Sequence, residues 1–293
     1  MTEPRLPRLK RAAQPPPMML TERDREIVKV VRAFRLLTRS QIETLLFPPE
    51  HGQGHPTKTS RCRLRLKLLY QHGFLQRLAV SVRGSPAQGD LIYCLDHRGA
   101  DLLAGARGDE PDGWLRAHRL SPFFLEHTLR INDLRIAVTL AAEKLGWKPG
   151  DWLDEAALKA LKLNVPDPSK PGASLPLQPD GFFVLQVGER RASFFLEIDR
   201  ATMPTKRFQA KVRAYKALLE TGKAIEHFKT RNFRVLTITT GKRRLASLRR
   251  AAEQAGADHY FWFSTFEWAR AEKVLTEPVW QAVGQDGLHR LIE

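Results

Sequence analysis

The sequence predicts a protein of the α+β or α/β class: an N-terminal winged helix-turn-helix followed by one mixed sheet flanked by helices. Two observations carry this reading. Three helical patterns lie between residues 21 and 73, and two strand-like runs follow directly. Beyond residue 120 the patterns run α-β-β-β-α-β-α-β, the order of a layered sheet protein. At 293 residues there is room for two ordinary domains.

The first 18 residues, basic and Pro-rich, read as a flexible arm. They lack the apolar core of a secretion signal, and no apolar run is long enough for a membrane span, so a cytoplasmic protein is expected. Thr21 is placed to cap a first helix, with acids in its first turn and Ile27, Val30, Val31 and Phe34 at helical spacing. A second short helix starts at a cap on Thr38 or Ser40. The third, SRCRLRLKLLYQHGFL, alternates apolar and basic residues, which also suits a strand. Helix is preferred because Cys62, Leu66 and Leu69 share one face and Gly73 ends it. LQRLAVSV and DLIYCLD then form a hairpin. This winged helix spans residues 19–108, and a Gly/Pro/Asp-rich linker occupies 109–120.

The second domain, 121–293, opens with a long helix capped by Ser121. A weak strand follows around 147–153, then a poorly ordered stretch, NVPDPSKPGASLPLQ. A hairpin comes next, PDGFFVLQV and ASFFLEID. TKRFQAKVRAYKALLE is a helix with Phe208, Val212, Tyr215 and Leu219 on one stripe. FRVLTITT is a strand, RRLASLRRAAEQAG a helix and HYFWFS a strand. Cys62 and Cys94, the only cysteines, suggest neither a disulfide framework nor a zinc site.

Net charge is +16, which points to an acidic polymer as partner. The charge is uneven. Residues 1–100 hold 18 Lys/Arg against 8 Asp/Glu, and residues 206–250 hold 14 against 2. Double-stranded DNA fits both zones. In the winged helix, Arg61, Arg63, Arg65 and Lys67 on the third helix and Arg83 at the hairpin tip are the expected contacts. In the second domain they are Lys206, Lys242, Arg243 and Arg244. A winged helix can also grip another protein, and that alternative stands.

The hairpin carries Asp180, Glu197 and Asp199 among apolar neighbours. A four-residue break, 188–191, sets Val187 against Ala192, Phe182 against Glu197 and Asp180 against Asp199. Opposed residues share a face, so all three acids fall on one side, at the end away from the turn. Three carboxylates so close repel one another. Either a divalent cation such as Mg²⁺ or Mn²⁺ relieves this, or basic neighbours do, with Arg200, Lys206 and Lys211 close in sequence.

PDG on one strand and FLEID on the next resemble the PD-(D/E)XK nuclease motif. The resemblance implies that Asp180 and Glu197 are metal ligands. The position of the motif lysine holds Asp199, a departure that leaves Lys206 or Lys211 on the following helix to take the part. Lys211 and Tyr215, one turn apart, are similar in spacing to the Gln–Tyr helix motif of RecB-like nucleases. Those members can also use a histidine of the first helix as a ligand, a place His127 matches. Over residues 18–283 the chain resembles the replication-relaxation family of plasmids and integrative elements. LTERDREIVKVV, LEHTLRINDLRIAV, FFLEIDRATMPTKRFQAKVRAYKAL and FWFSTFEWARAEKVLTEPVW carry that likeness.

The resemblance implies DNA binding linked to plasmid replication, relaxation or transfer. If the site is active, Asp180 and Glu197 hold the metal and Asp199 is a third ligand or takes a proton from water. Lys211 then steadies the phosphate. The rival readings are an inactive scaffold that docks a relaxase or replication protein, and a transcriptional repressor. Winged-helix DNA binders are often dimers, so a homodimer is among the expected partners.

Overall fold

The computed structural model of the chain describes residues 10–15, 17–47, 57–78, 90–104 and 121–292. Arg83 and the linker expected at 109–120 lie outside them. Helices account for 43% and strands for 22% of the described residues, so the mixed α and β class holds. No helix among the described residues is long and apolar enough to cross a membrane. The chain divides into two compact units, Met1–Asp133 and Leu134–Glu293.

In the first unit, α1 (Glu22–Phe34) starts at a capping box. The Thr21 N–H donates to Asp24 Oδ2 at 2.8 Å and the Asp24 N–H donates to Thr21 Oγ1 at 3.3 Å. Thr38 and Gln41 repeat the device at α2 (Arg39–Leu46). Helix α3 (Lys58–Gln71) buries Cys62, Leu66 and Leu69 completely, the face expected from their spacing. Gly73, at φ 75°, takes the left-handed conformation that lets the chain leave the helix. Strands β2 (Leu75–Leu78) and β3 (Ile92–Leu95) pair antiparallel. A three-residue strand, β1 (Leu36–Thr38), joins the other edge of β3; it was not expected from sequence. Helix α4 (His97–Ala104) follows.

Within the stretch expected to be a flexible arm, Arg11 donates to the Tyr70 carbonyl at 2.8 Å and the Leu75 carbonyl at 3.0 Å and pairs with Asp96. The division between the two compact units falls inside α5 (Pro122–Lys144). The reason is packing: Leu125 and Leu129 share a core with Leu36, Leu78, Ile92 and Cys94. Asn132 adds side-chain hydrogen bonds to the carbonyls of Phe34, 3.1 Å, and Leu36, 2.7 Å.

Arg65 of α3 is also turned to structural use. Its guanidinium grips Asp24, which is wholly buried. Removing one partner of such a pair strands a charge away from water. Arg65→Ala is therefore expected to destabilise the first unit by about 3 kcal/mol in urea unfolding followed by circular dichroism. A change within 0.5 kcal/mol, roughly that of an ordinary surface substitution, would show that Asp24 does not need it.

The second unit is built on a six-stranded sheet. Its strands are β4 (Lys148–Asp154), β7 (Gly181–Val187), β8 (Arg190–Ile198), β9 (Arg234–Thr239), β10 (Phe261–Thr265) and β11 (Gln281–Ala282), in the spatial order β11-β10-β9-β8-β7-β4. β8, β9 and β10 run parallel, and the flanking pairs are antiparallel. On one face α7 (Thr205–Glu220) and α9 (Lys242–Gln254) close a core with Phe182, Phe195, Tyr215, Phe261 and Phe263. On the other, Trp152, Phe183 and Phe194 stack at 4.9 and 5.0 Å. The short helices α6 (Glu155–Ala160) and α8 (Lys223–Phe228) went unforeseen.

The stretch expected to be poorly ordered is instead a small hairpin, β5 (Asn164–Pro166) with β6 (Ser174–Pro176). Its sparse apolar residues do the anchoring, since Leu163, Val165 and Leu177 are at most 4% exposed. The β7–β8 register also differs from expectation. Gly188, at φ 58°, allows a two-residue turn, so Val187 pairs with Arg190 and Phe182 with Phe195. One step beyond the Gly181–Leu196 pair, Asp180 stands against Glu197 and not against Asp199. The slip is two residues, which leaves every side chain on its expected face.

Candidate functional site

Glu197 and Asp199 ride at the end of β8, a central strand whose neighbours Leu196 and Ile198 are buried in the sheet. That burial takes both acids inside with it, to 2% exposure each. A carboxylate so placed needs partners, because an unpaired buried charge costs several kcal/mol by roughly any reckoning. The structure supplies them from two different helices.

Glu197 is held by α7. The Tyr215 hydroxyl donates to Oε1 at 2.7 Å, and the Lys211 ammonium pairs with Oε2. The two residues are one turn apart, on the face that Phe208, Val212 and Leu218 press onto the sheet. Asp180 faces Glu197 across the strands and is pinned by its backbone. Its N–H donates to the Leu196 carbonyl at 3.0 Å, and its Oδ2 accepts from the Ile198 N–H at 2.7 Å. Burial pushes the Glu197 carboxyl up to about 7; Lys211 opposes this and Asp180 adds to it. Burial works against the Lys211 ammonium, yet Glu197 and Asp180 together hold it above its ordinary value. The Tyr215 phenol is raised as well, by burial and then by Glu197.

Asp199 belongs to α9. Arg244 donates from Nε to Oδ2 and from Nη2 to Oδ1, both at 2.9 Å, the paired fork that guanidinium and carboxylate form best. Thr239 Oγ1 donates to Oδ2 at 2.6 Å and the Ala201 N–H at 3.1 Å. Arg244 Nη2 reaches on to the Met203 carbonyl at 2.7 Å. Burial alone would raise the Asp199 carboxyl, but the Arg244 and Thr239 hydrogen bonds outweigh it and hold it below the usual carboxylate range.

The three acids thus share a face but not an environment. Asp180, Glu197, Lys211 and Tyr215 form one cluster, while Asp199 closes a separate ion pair. Both Asp199 oxygens are committed to protein donors, so it is not placed as a third metal ligand. Among the described residues, no group of three or more His, Cys, Asp or Glu is arranged to hold a metal ion. Asp180 and Glu197 remain an opposed pair of hard oxygen donors, the kind Mg²⁺ or Mn²⁺ takes, with Lys211 at Glu197 Oε2. His127 stands on the part of α5 that belongs to the first unit.

Of the residues expected at DNA, Lys206, Lys242 and Arg243 are exposed, and so is Arg63 on α3. Arg61 and Lys67 are partly exposed. Arg65 and Arg244 are engaged inside the protein. Sequence reasoning missed Thr239 and the pairing role of Arg244, and it passed over Arg207, which is exposed beside Lys206. Parallel pairing of β8 with β9 sets Thr237 beside Glu197. The alternation in LTITT then carries Thr239 to the acids' face. That signal becomes readable once the strand order is known.

Compared with known protein families, the chain matches the one described as replication-relaxation over residues 28–236. Among curated proteins and among solved structures, none matches.

Proposed function

The chain belongs to the replication-relaxation family, and from that premise we propose a DNA-binding protein of plasmid or mobile-element replication, relaxation or transfer, whose second unit nicks the duplex. The observation that carries the nicking is the convergence of Asp180, Glu197, Lys211 and Tyr215 at one end of β7 and β8. This is the constellation that a resemblance to PD-(D/E)XK nucleases implies, with the motif lysine supplied from α7.

Asp180 and Glu197 would hold Mg²⁺ or Mn²⁺, which when bound lowers the pKa of water and steadies charge on a phosphate. Tyr215 fixes the Glu197 carboxylate in one orientation through its hydroxyl. Lys211 brings a positive charge to the same point, suited to a scissile phosphate. Arg63 on α3 and the exposed first-turn cations Lys206, Arg207, Lys242 and Arg243 of α7 and α9 supply phosphate contacts.

Two experiments test this reading. Supercoiled plasmid incubated with the protein in Mg²⁺ or Mn²⁺ is expected to yield open circles, and chelator to stop it. For binding, replacing Lys206, Arg207, Lys242 and Arg243 together with alanine is expected to flatten the salt dependence of duplex affinity. For every phosphate that the variant no longer neutralises, the slope of log K against log salt falls by about 0.9. An unchanged slope would remove these cations from the interface.

A second reading is favoured by one observation: Asp199 and Arg244 fill the place where the nuclease motif has its lysine. On that reading the second unit is an inactive scaffold that docks a relaxase or replication protein. Duplex binding indifferent to chelator, with no cleavage of any plasmid topology, would establish it.

A further inference from the structure

Resting on the nicking reading above, we propose that the Lys211 ammonium is the resident counter-ion of the Asp180–Glu197 pair, and that a divalent cation enters the site only by displacing it. Geometry supports this first. Glu197 is almost fully buried, and Tyr215 holds Oε1. The oxygen left for a metal is Oε2, where Lys211 already sits. Lys211 feels Asp180 as well as Glu197, so it serves both acids a metal would share.

Charge balance supports it next. With both carboxyls ionised, as a metal requires, the pair and one ammonium carry one negative charge in excess. A divalent ion added beside the ammonium would leave one positive charge in excess. A divalent ion in place of the ammonium leaves none. In a site this dry, an uncompensated charge is costly, so exchange is the favoured route. Lys211 also has somewhere to go. Its side chain is 15% exposed and stands one helical turn or so from the exposed Lys206 and Arg207. A four-carbon stem lets the ammonium swing out from between the carboxylates to the rim of the site, where a phosphate would meet it, while the backbone of α7 stays in place.

The test is Mn²⁺ binding to the full chain, followed by electron paramagnetic resonance without DNA or turnover. Three proteins are compared: wild type, Lys211→Met and Glu197→Gln. Removing the ammonium is expected to tighten Mn²⁺ binding on the order of tenfold or more. Glu197→Gln is expected to lose it. Thermal melts of the metal-free proteins establish that each is folded, and Lys211→Gln replaces the methionine variant if that one is not. Equal binding by wild type and Lys211→Met, with loss in Glu197→Gln, would overturn the displacement while leaving the metal site in place. No binding by any of the three would overturn both.

Discussion

Arg244→Ala is expected to destabilise the second unit by about 3–5 kcal/mol, the range for breaking a buried ion pair. The substitution removes both fork hydrogen bonds to Asp199 and the bond to the Met203 carbonyl. Asp199, 2% exposed, is left with Thr239 and the Ala201 N–H as its partners. The segment that loses support is the crossover from β8 to α7, where Ala201 already sits at φ 61°. That crossover positions Lys211 and Tyr215, so the loss reaches Glu197 too. Urea unfolding can be followed by tryptophan fluorescence, because Trp147, Trp152, Trp262, Trp268 and Trp280 all lie in this unit. Arg244→Lys keeps the charge but not the fork, and an intermediate loss is expected.

The pH dependence carries a sign that checks the same pair. The folded Asp199 carboxyl titrates below its ordinary value of 3.8, so the unfolded chain binds more protons there. Its contribution to stability is complete above that value and is lost as pH falls through the folded pKa. Glu197 runs the other way. Its carboxyl is raised from 4.5, so its contribution is complete below 4.5 and is lost as pH rises towards about 7. Asp199→Asn is expected to remove the acid limb, and Glu197→Gln the limb between 4.5 and about 7. Limbs that stay in place in both variants would mean other groups govern the profile.

What the sequence revealed and what it hid follow from distance along the chain. Caps at Thr21 and Thr38 and the burial of Cys62, Leu66 and Leu69 are set within a few residues, and they were readable. Lys211 and Tyr215 were also readable, because helical spacing fixes which side chains point together. The β7–β8 register was misread by two residues because Gly188 tightens the turn. The error was harmless for the acids' face only because it was even. Strand β1 is three residues long and exists by virtue of its pairing with β3, a tertiary cause that no local pattern announces. The partner of Asp199 was hidden most deeply. Arg244 lies beyond two helices and a strand, and in sequence it reads as one more cation in a basic run.

The same logic separates the two roles of the basic residues. Arg65 and Arg244 count towards net charge yet are spent on Asp24 and Asp199. The charge available to a polyanion is therefore carried by side chains such as Arg63, Lys206, Arg207, Lys242 and Arg243, which reach solvent.

Glu197→Gln is expected to lower plasmid nicking by on the order of 100-fold or more while duplex affinity stays within about twofold. Glutamine keeps the size of the side chain and can still accept from the Tyr215 hydroxyl, but its NH2 cannot accept from the Lys211 ammonium, so thermal melting of the variant is measured beside its activity. It lacks the charge that a divalent cation requires. Asp180→Asn should behave alike, because on the proposed reading both acids serve one ion. The decisive measurement is the rate of open-circle formation from supercoiled plasmid in Mg²⁺ or Mn²⁺, wild type beside Glu197→Gln, with duplex binding measured on the same preparations. Loss of nicking with binding retained is the outcome predicted; equal rates from the two proteins would contradict a reaction centre at Glu197.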